Sequence, residues 1–124
     1  MAAPNVAGTA TEVYLRTVTL PIGTATGSSA TLVLANGSAS SAVLEINSLT
    51  VNNVDGVNSA DVSVLRFVGT NSTQLYTTIS VPADASLRVV DGTAKLVLPE
   101  DHTIRVFANA TGDLTVDVAY VEYK

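Results

Sequence analysis

Apolar and polar residues alternate over short runs through most of this chain, and Gly, Pro, Asn and Asp clusters separate the runs. A repeat of two places alternate side chains on one face of a pleated strand. The first run is Val13 to Leu20, halted by Pro21 and Gly23. The segment from Gly23 to Ser29 reads as a flexible loop, and a second run, Thr31 to Ala35, closes at the tight-turn pair Asn36-Gly37. The third run, Ala42 to Val54, changes parity: Leu44 and Ile46 share one phase, Leu49 and Val51 the other. One strand must keep its period to keep one face inward, so a bulge is predicted near Asn47-Ser48. Further runs cover Ala60 to Val68, Gln74 to Val81, Ser86 to Val90, Ala94 to Leu98 and Thr103 to Ala108. The last run, Leu114 to Tyr123, holds Leu114, Val116, Val118 and Tyr120 on one face.

No window carries a capped apolar stripe of helical period. About nine short strands in one small chain predict an all-β fold, a two-sheet antiparallel sandwich of jelly-roll or Ig-like type. An up-and-down barrel is the alternative. Residues 13–124 form the sandwich domain. Residues 1–12 lack periodicity and read as an N-terminal arm, disordered or ordered by a neighbour.

Composition supports strands and narrows the function. Val, Ile and Thr supply 39 of 124 residues, and branched Cβ atoms suit a pleated surface. The absence of Cys excludes disulfides, thiol nucleophiles and Cys-ligated metals, and a single His excludes a multi-His metal site. A net charge of −5 and six aromatics without Trp argue against nucleic-acid binding. The longest uncharged stretch, Thr17 to Leu44, is broken by Pro21 and three Gly residues, so no membrane span is expected. Met1-Ala2-Ala3-Pro4 has neither a basic nor an apolar leader segment, so no secretory signal is expected. The sequons at Asn36, Asn71 and Asn109 then read as turn residues.

Candidate chemistry is sparse. His102 follows Asp101, which is the beginning of a base oriented by an acid, but no motif supplies a nucleophile. The loop from Asn52 to Asp61 is rich in Asn and Asp yet lacks calcium-loop spacing, so Asx turns are the expectation. The eleven acids are not paired by any sequence signal for glycoside hydrolysis. No catalytic residue, cofactor or metal ligand is therefore assigned, and the chain is expected not to be an enzyme.

The surface is more informative. Only 14% of residues are charged while 47% are hydrophobic, against about 25% charged in an ordinary soluble domain. A neutral, strand-rich surface invites edge pairing, and the expectation is that other protein covers much of it in a permanent homo-oligomer or larger assembly. Tyr14, Tyr120 and Tyr123 lie on the first and last strands, and Arg is enriched in subunit contacts. Val13, Tyr14, Arg16, Tyr120 and Tyr123 are the candidate assembly contacts.

From Thr31 onward the chain resembles small β-sandwich virion proteins of tailed bacteriophages. The resemblance is carried by Leu44-Glu45-Ile46-Asn47-Ser48-Leu49-Thr50-Val51-Asn52-Asn53, by Asp61-Val62-Ser63-Val64 and by Leu75-Tyr76 leading to Ile79-Ser80-Val81-Pro82-Ala83. It continues through Leu96-Val97-Leu98-Pro99-Glu100-Asp101-His102-Thr103-Ile104-Arg105-Val106, where Asp101-His102 replaces the Gly-Asp pair such proteins often carry. The resemblance implies a capsid decoration (cement) protein of the phage head, or a neck, tail or fibre component. Its implied partners are the major capsid protein or other virion proteins, and its implied location is the virion. A carbohydrate- or receptor-binding module, and a tube-forming or pilus-like surface protein, are the other classes consistent with a sandwich.

Overall fold

The computed structural model describes residues 12–91, 95–110 and 112–124. Among these residues nine strands run in chain order: β1 Val13–Pro21, β2 Thr31–Ala35, β3 Val43–Asn53, β4 Ala60–Val68, β5 Asn71–Val81, β6 Ser86–Val90, β7 Leu96–Leu98, β8 His102–Ala108 and β9 Leu114–Tyr123. They form two antiparallel sheets. One has the order β1-β9-β3-β6, with β7 also paired to β3, and the other has the order β2-β8-β4-β5.

The pairing is nested. β6 and β7 occupy successive parts of one edge of β3, β6 opposite Leu49–Asn52 and β7 opposite Leu44–Ile46. Counted as one interrupted strand, they make eight strands in which first pairs last, second pairs seventh, third pairs sixth and fourth pairs fifth. That is the jelly-roll strand order, a long antiparallel ribbon folded over into two sheets. This strand order replaces the Ig-like alternative, and the two separate sheets replace the barrel. The N-terminal arm falls outside the described residues except for Glu12, which extends the β1–β9 ladder by exchanging two backbone hydrogen bonds with Lys124.

Period two places the core. On β9, Leu114, Val116 and Val118 point between the sheets, and on β3 Leu44, Ile46, Leu49 and Val51 join them. The other sheet answers with Val62, Val64, Ile104 and Val106. The parity change in β3 is resolved at Asn47. Ile46 faces Tyr120 and Ser48 faces Ala119, so Asn47 is left over as a bulge.

Three local expectations need correction. Pro21 does not halt β1 but belongs to it, opposite Thr115. Gly23 to Ser29 is not simply a flexible loop: Gly27–Ser29 form one 3-10 turn, the Gly23 amide donates to Thr31 Oγ1 at 2.9 Å, and the Ala108 amide donates to the Gly23 carbonyl at 2.9 Å. Ala30 then covers Leu65 and Phe67 in a small second cluster. Finally, β5 begins at Asn71 because the turn from β4 needs only Gly69 and Thr70. Gly69 sits at φ 60°, which suits the first position of a two-residue hairpin loop.

Two buried Asn side chains fasten the connections. Asn36 Nδ2 donates to the carbonyls of Ala42 and Leu98, both at 2.9 Å, and its Oδ1 accepts from Ser40. Asn53 Nδ2 donates to the carbonyls of Asn58 and Val81, and its Oδ1 accepts from the Asp55 amide. Each amide links segments far apart in the sequence.

Candidate functional site

Strand β1 forms one margin of its sheet, and its backbone is read from its ladder with β9. Glu12 and Lys124 exchange both hydrogen bonds, and the register then runs without a shift from Val13–Tyr123 to Pro21–Thr115. Hydrogen-bonded pairs alternate in an antiparallel ladder. Tyr14, Arg16, Val18 and Leu20 therefore bond to β9, while Val13, Leu15, Thr17 and Thr19 turn their amides and carbonyls to the other edge, which pairs with no strand among the described residues. Pro21 falls in the second set, so the N–H it lacks is one that β9 would not have used. This is the physical reason the strand tolerates it.

Side chains divide by the same parity. Val13, Leu15, Thr17 and Thr19 lie on the outer face, and Leu15 is 83% and Val13 56% exposed. Across the sheet from Leu15 come Val121, Glu45 and Val97, and across from Val13 come Tyr123 and Val43. The result is an apolar stripe over four strands, crossed by the Lys95–Glu45 ion pair at 3.3 Å.

The five residues proposed as assembly contacts are brought together, but on two faces. Val13 and Tyr123 are direct partners on the outer face. Arg16 and Tyr120 are direct partners on the inner one, with Tyr14 beside them. The Arg16 guanidinium lies 4.9 Å from the Tyr14 ring centre, and its Nε donates to Glu122 at 3.1 Å. The Tyr14 hydroxyl donates to Glu12, and that carboxylate raises the phenol pKa. Leu15 belongs with these residues and was not singled out from the sequence. The signal available was its shared parity with Val13.

Where β1 and β9 approach the neighbouring sheet, Arg16, Tyr120 and Glu122 line a cleft of about 330 Å³ with Asn36, Ser40 and Leu34. A second cleft of about 360 Å³ lies beside Phe67, Thr103 and Arg105. There Arg105 is engaged structurally: Nη1 donates to the Ala30 carbonyl at 2.7 Å and the guanidinium lies 5.8 Å from the Phe67 ring centre.

The remaining chemistry is local. Asp55 accepts from the amides of Val57 and Asn58 and from the Asn58 side chain, and these bonds hold its pKa below the usual carboxylate range. That is the Asx turn expected of this loop. Among the described residues no three His, Asp or Glu side chains gather closely enough to hold a metal ion, and no helix is long and apolar enough to cross a membrane.

His102 opens β8, and its Nδ1 is buried without a hydrogen-bond partner. Burial lowers its pKa, the Arg66 charge lowers it further, and Asp101 opposes them. A depressed His pKa means the unfolded chain takes the proton first. Stability contributed by neutral His102 is thus complete above about pH 6.5 and is lost as pH falls toward the folded value. The variant His102→Gln is expected to flatten that limb of a urea-unfolding profile. A wild-type profile already flat below about pH 6.5 would show that His102 does not titrate this way.

No protein-family model and no curated protein matches this chain.

Proposed function

We propose that this protein is a non-enzymatic structural component of a phage virion, a decoration (cement) protein that seats on the head lattice through its margins and outer face. The observation that carries this reading is the coincidence on β1 of a regular edge that no other described strand pairs with and exposed apolar side chains. A monomer in free solution blunts such an edge with charge, bulges or cover. Here the outward residues are Val, Leu and Thr, and only 14% of the whole chain is charged. The jelly-roll order adds support, since viral capsid proteins use it, although lectin domains and cupins do too. Repeated weak seating on a lattice would give retention through avidity without a large single interface.

The test is the copy number of the protein in purified particles, measured by quantitative mass spectrometry against the major capsid protein. A decoration protein is expected in fixed proportion to capsid subunits. Copies amounting to one symmetric ring would assign it to the neck or tail instead, and absence from particles would remove the virion reading.

A carbohydrate- or receptor-binding module is the second reading, favoured by the cleft that Arg16, Glu122, Asn36 and Tyr120 line. Its donors and acceptors are of the kind that bind hydroxyl groups. Glycan-array binding by the wild-type chain, abolished by Arg16→Ala, would establish it.

A further inference from the structure

We propose that β1 pairs antiparallel with β1 of a second copy of this chain, about a two-fold axis that passes Leu15. It uses the same edge as the virion reading but does not depend on that reading, because it concerns a contact the chain makes with itself in solution.

The choice of edge follows from regularity. Strand addition needs a run of outward amides and carbonyls in one phase. Of the other margins, β5 breaks register with β4 twice and carries Thr78 at φ 53°. Its Thr78 amide is also taken by Ser63 Oγ at 2.9 Å. β2 has five residues and a shift between Leu32 and Leu34. The margin shared by β6 and β7 is split into pieces of five and three residues. Among the described margins β1 alone offers nine residues without a shift.

The register follows from charge, from donors and from overlap. In a two-fold pair, each hydrogen-bonded position must come from the outward set Val13, Leu15, Thr17 and Thr19. Pairing Leu15 with Thr17 of the second copy would set Arg16 against Arg16 at the close, non-hydrogen-bonded spacing, where like charges repel. Pairing Leu15 with Thr19 would set Val13 against Pro21, which has no donor. Pairing Leu15 with Val13 would set Arg16 opposite Glu12, but it leaves two hydrogen-bonded pairs from the outward set where pairing Leu15 with Leu15 gives three. Pairing Leu15 with Leu15 sets Val13 against Thr17, joins the most exposed apolar side chain of β1 to its own copy across the seam, and places each Arg16 opposite a Tyr14. The chain already stacks that guanidinium on that ring type at 4.9 Å, so the same attraction repeats across the axis.

The test uses the full chain. Sedimentation equilibrium is expected to give twice the monomer mass at about 100 µM, falling toward the monomer on dilution. The chain has no Cys, so Leu15→Cys provides a single reporter. Hydrogen-bonded Cα atoms about 5.5 Å apart lie within disulfide range, so air oxidation should link Leu15→Cys to itself. Val13→Cys and Thr17→Cys should each stay unlinked alone and link when mixed. Thr17→Pro removes an outward donor and no bond to β9, so it is expected to abolish the dimer and keep the strand signal in circular dichroism. If that variant does not fold, Leu15→Lys replaces it, since it sets two ammonium groups against each other on a solvent-exposed position. A wild-type chain that stays monomeric at that concentration overturns the proposal. So does a dimer that survives Leu15→Lys or in which Leu15→Cys fails to link.

Discussion

Asn36→Asp is expected to lower the unfolding free energy by about 3 kcal/mol or more at neutral pH, although it replaces one NH₂ with one oxygen. The native Nδ2 donates to the carbonyls of Ala42 and Leu98, from the segments leading into β3 and closing β7. A carboxylate at that position donates nothing and sets negative oxygen against two carbonyl oxygens. Its folded pKa must therefore rise above the unfolded value of about 3.9. The sign of the pH dependence follows. Below about pH 3.9 both states hold the proton and the electrostatic penalty vanishes; it grows through the raised folded pKa and is complete above it. Asn36→Ala provides the control. It strands the same two carbonyls, at about 2 kcal/mol, with no charge to titrate. Urea unfolding of both variants and wild type near pH 4 and pH 7 separates the terms. Equal losses for the two variants at both pH values would show that the amide is not the fastener described here.

That Asn36 was read from the sequence as a turn residue shows where one-dimensional reasoning stops. Asn-Gly after a strand is turn chemistry, and Gly37 is indeed exposed. What the pattern lacks is the partner: Leu98 lies 62 residues away and meets Asn36 only because β7 packs on β3. Period two carried more. It placed β2, β4, β6 and β9 at their observed bounds and located the bulge within β3, because burial on one face constrains every second residue. Period does not say which of two faces is inward. On β1 the set Val13, Leu15 looks as apolar as the set Val18, Leu20, yet the first lies outside and the second inside with Arg16 and Tyr14. Parity also cannot say that a strand is an edge. The candidate contacts were found through the nearness of the first and last strands, and Leu15 was missed for want of a known outer face.

The bulge allows a sharper trial of the same logic, with two single-residue deletions in one strand and opposite outcomes. Deleting Asn47 should leave a folded protein with stability within about 1 kcal/mol of wild type. Without it Ile46 and Ser48 become neighbours, matching Tyr120 and Ala119, which are already consecutive on β9. Leu44, Ile46, Leu49 and Val51 then fall on one unbroken phase, all still inward. Little is lost at the site itself, since Asn47 Oδ1 is buried with no partner. Deleting Thr50 has no such remedy. The strand can restore Val51 to the core only by straightening the bulge, which turns Leu49 to solvent and Ser48 inward. Leu49 is 0% exposed in the native fold. Emptying its site costs about 2–5 kcal/mol, and a buried hydroxyl without a partner adds about 1–3 kcal/mol. Against a total of about 5–15 kcal/mol for a native domain, that removes about half of the stability. Thermal denaturation should show a cooperative transition for the Asn47 deletion and a weak or absent one for the Thr50 deletion. Loss of folding in both would mean the bulge itself, through its bend, is what the sandwich requires. Tolerance of both would mean the parity of β3 does not govern the core.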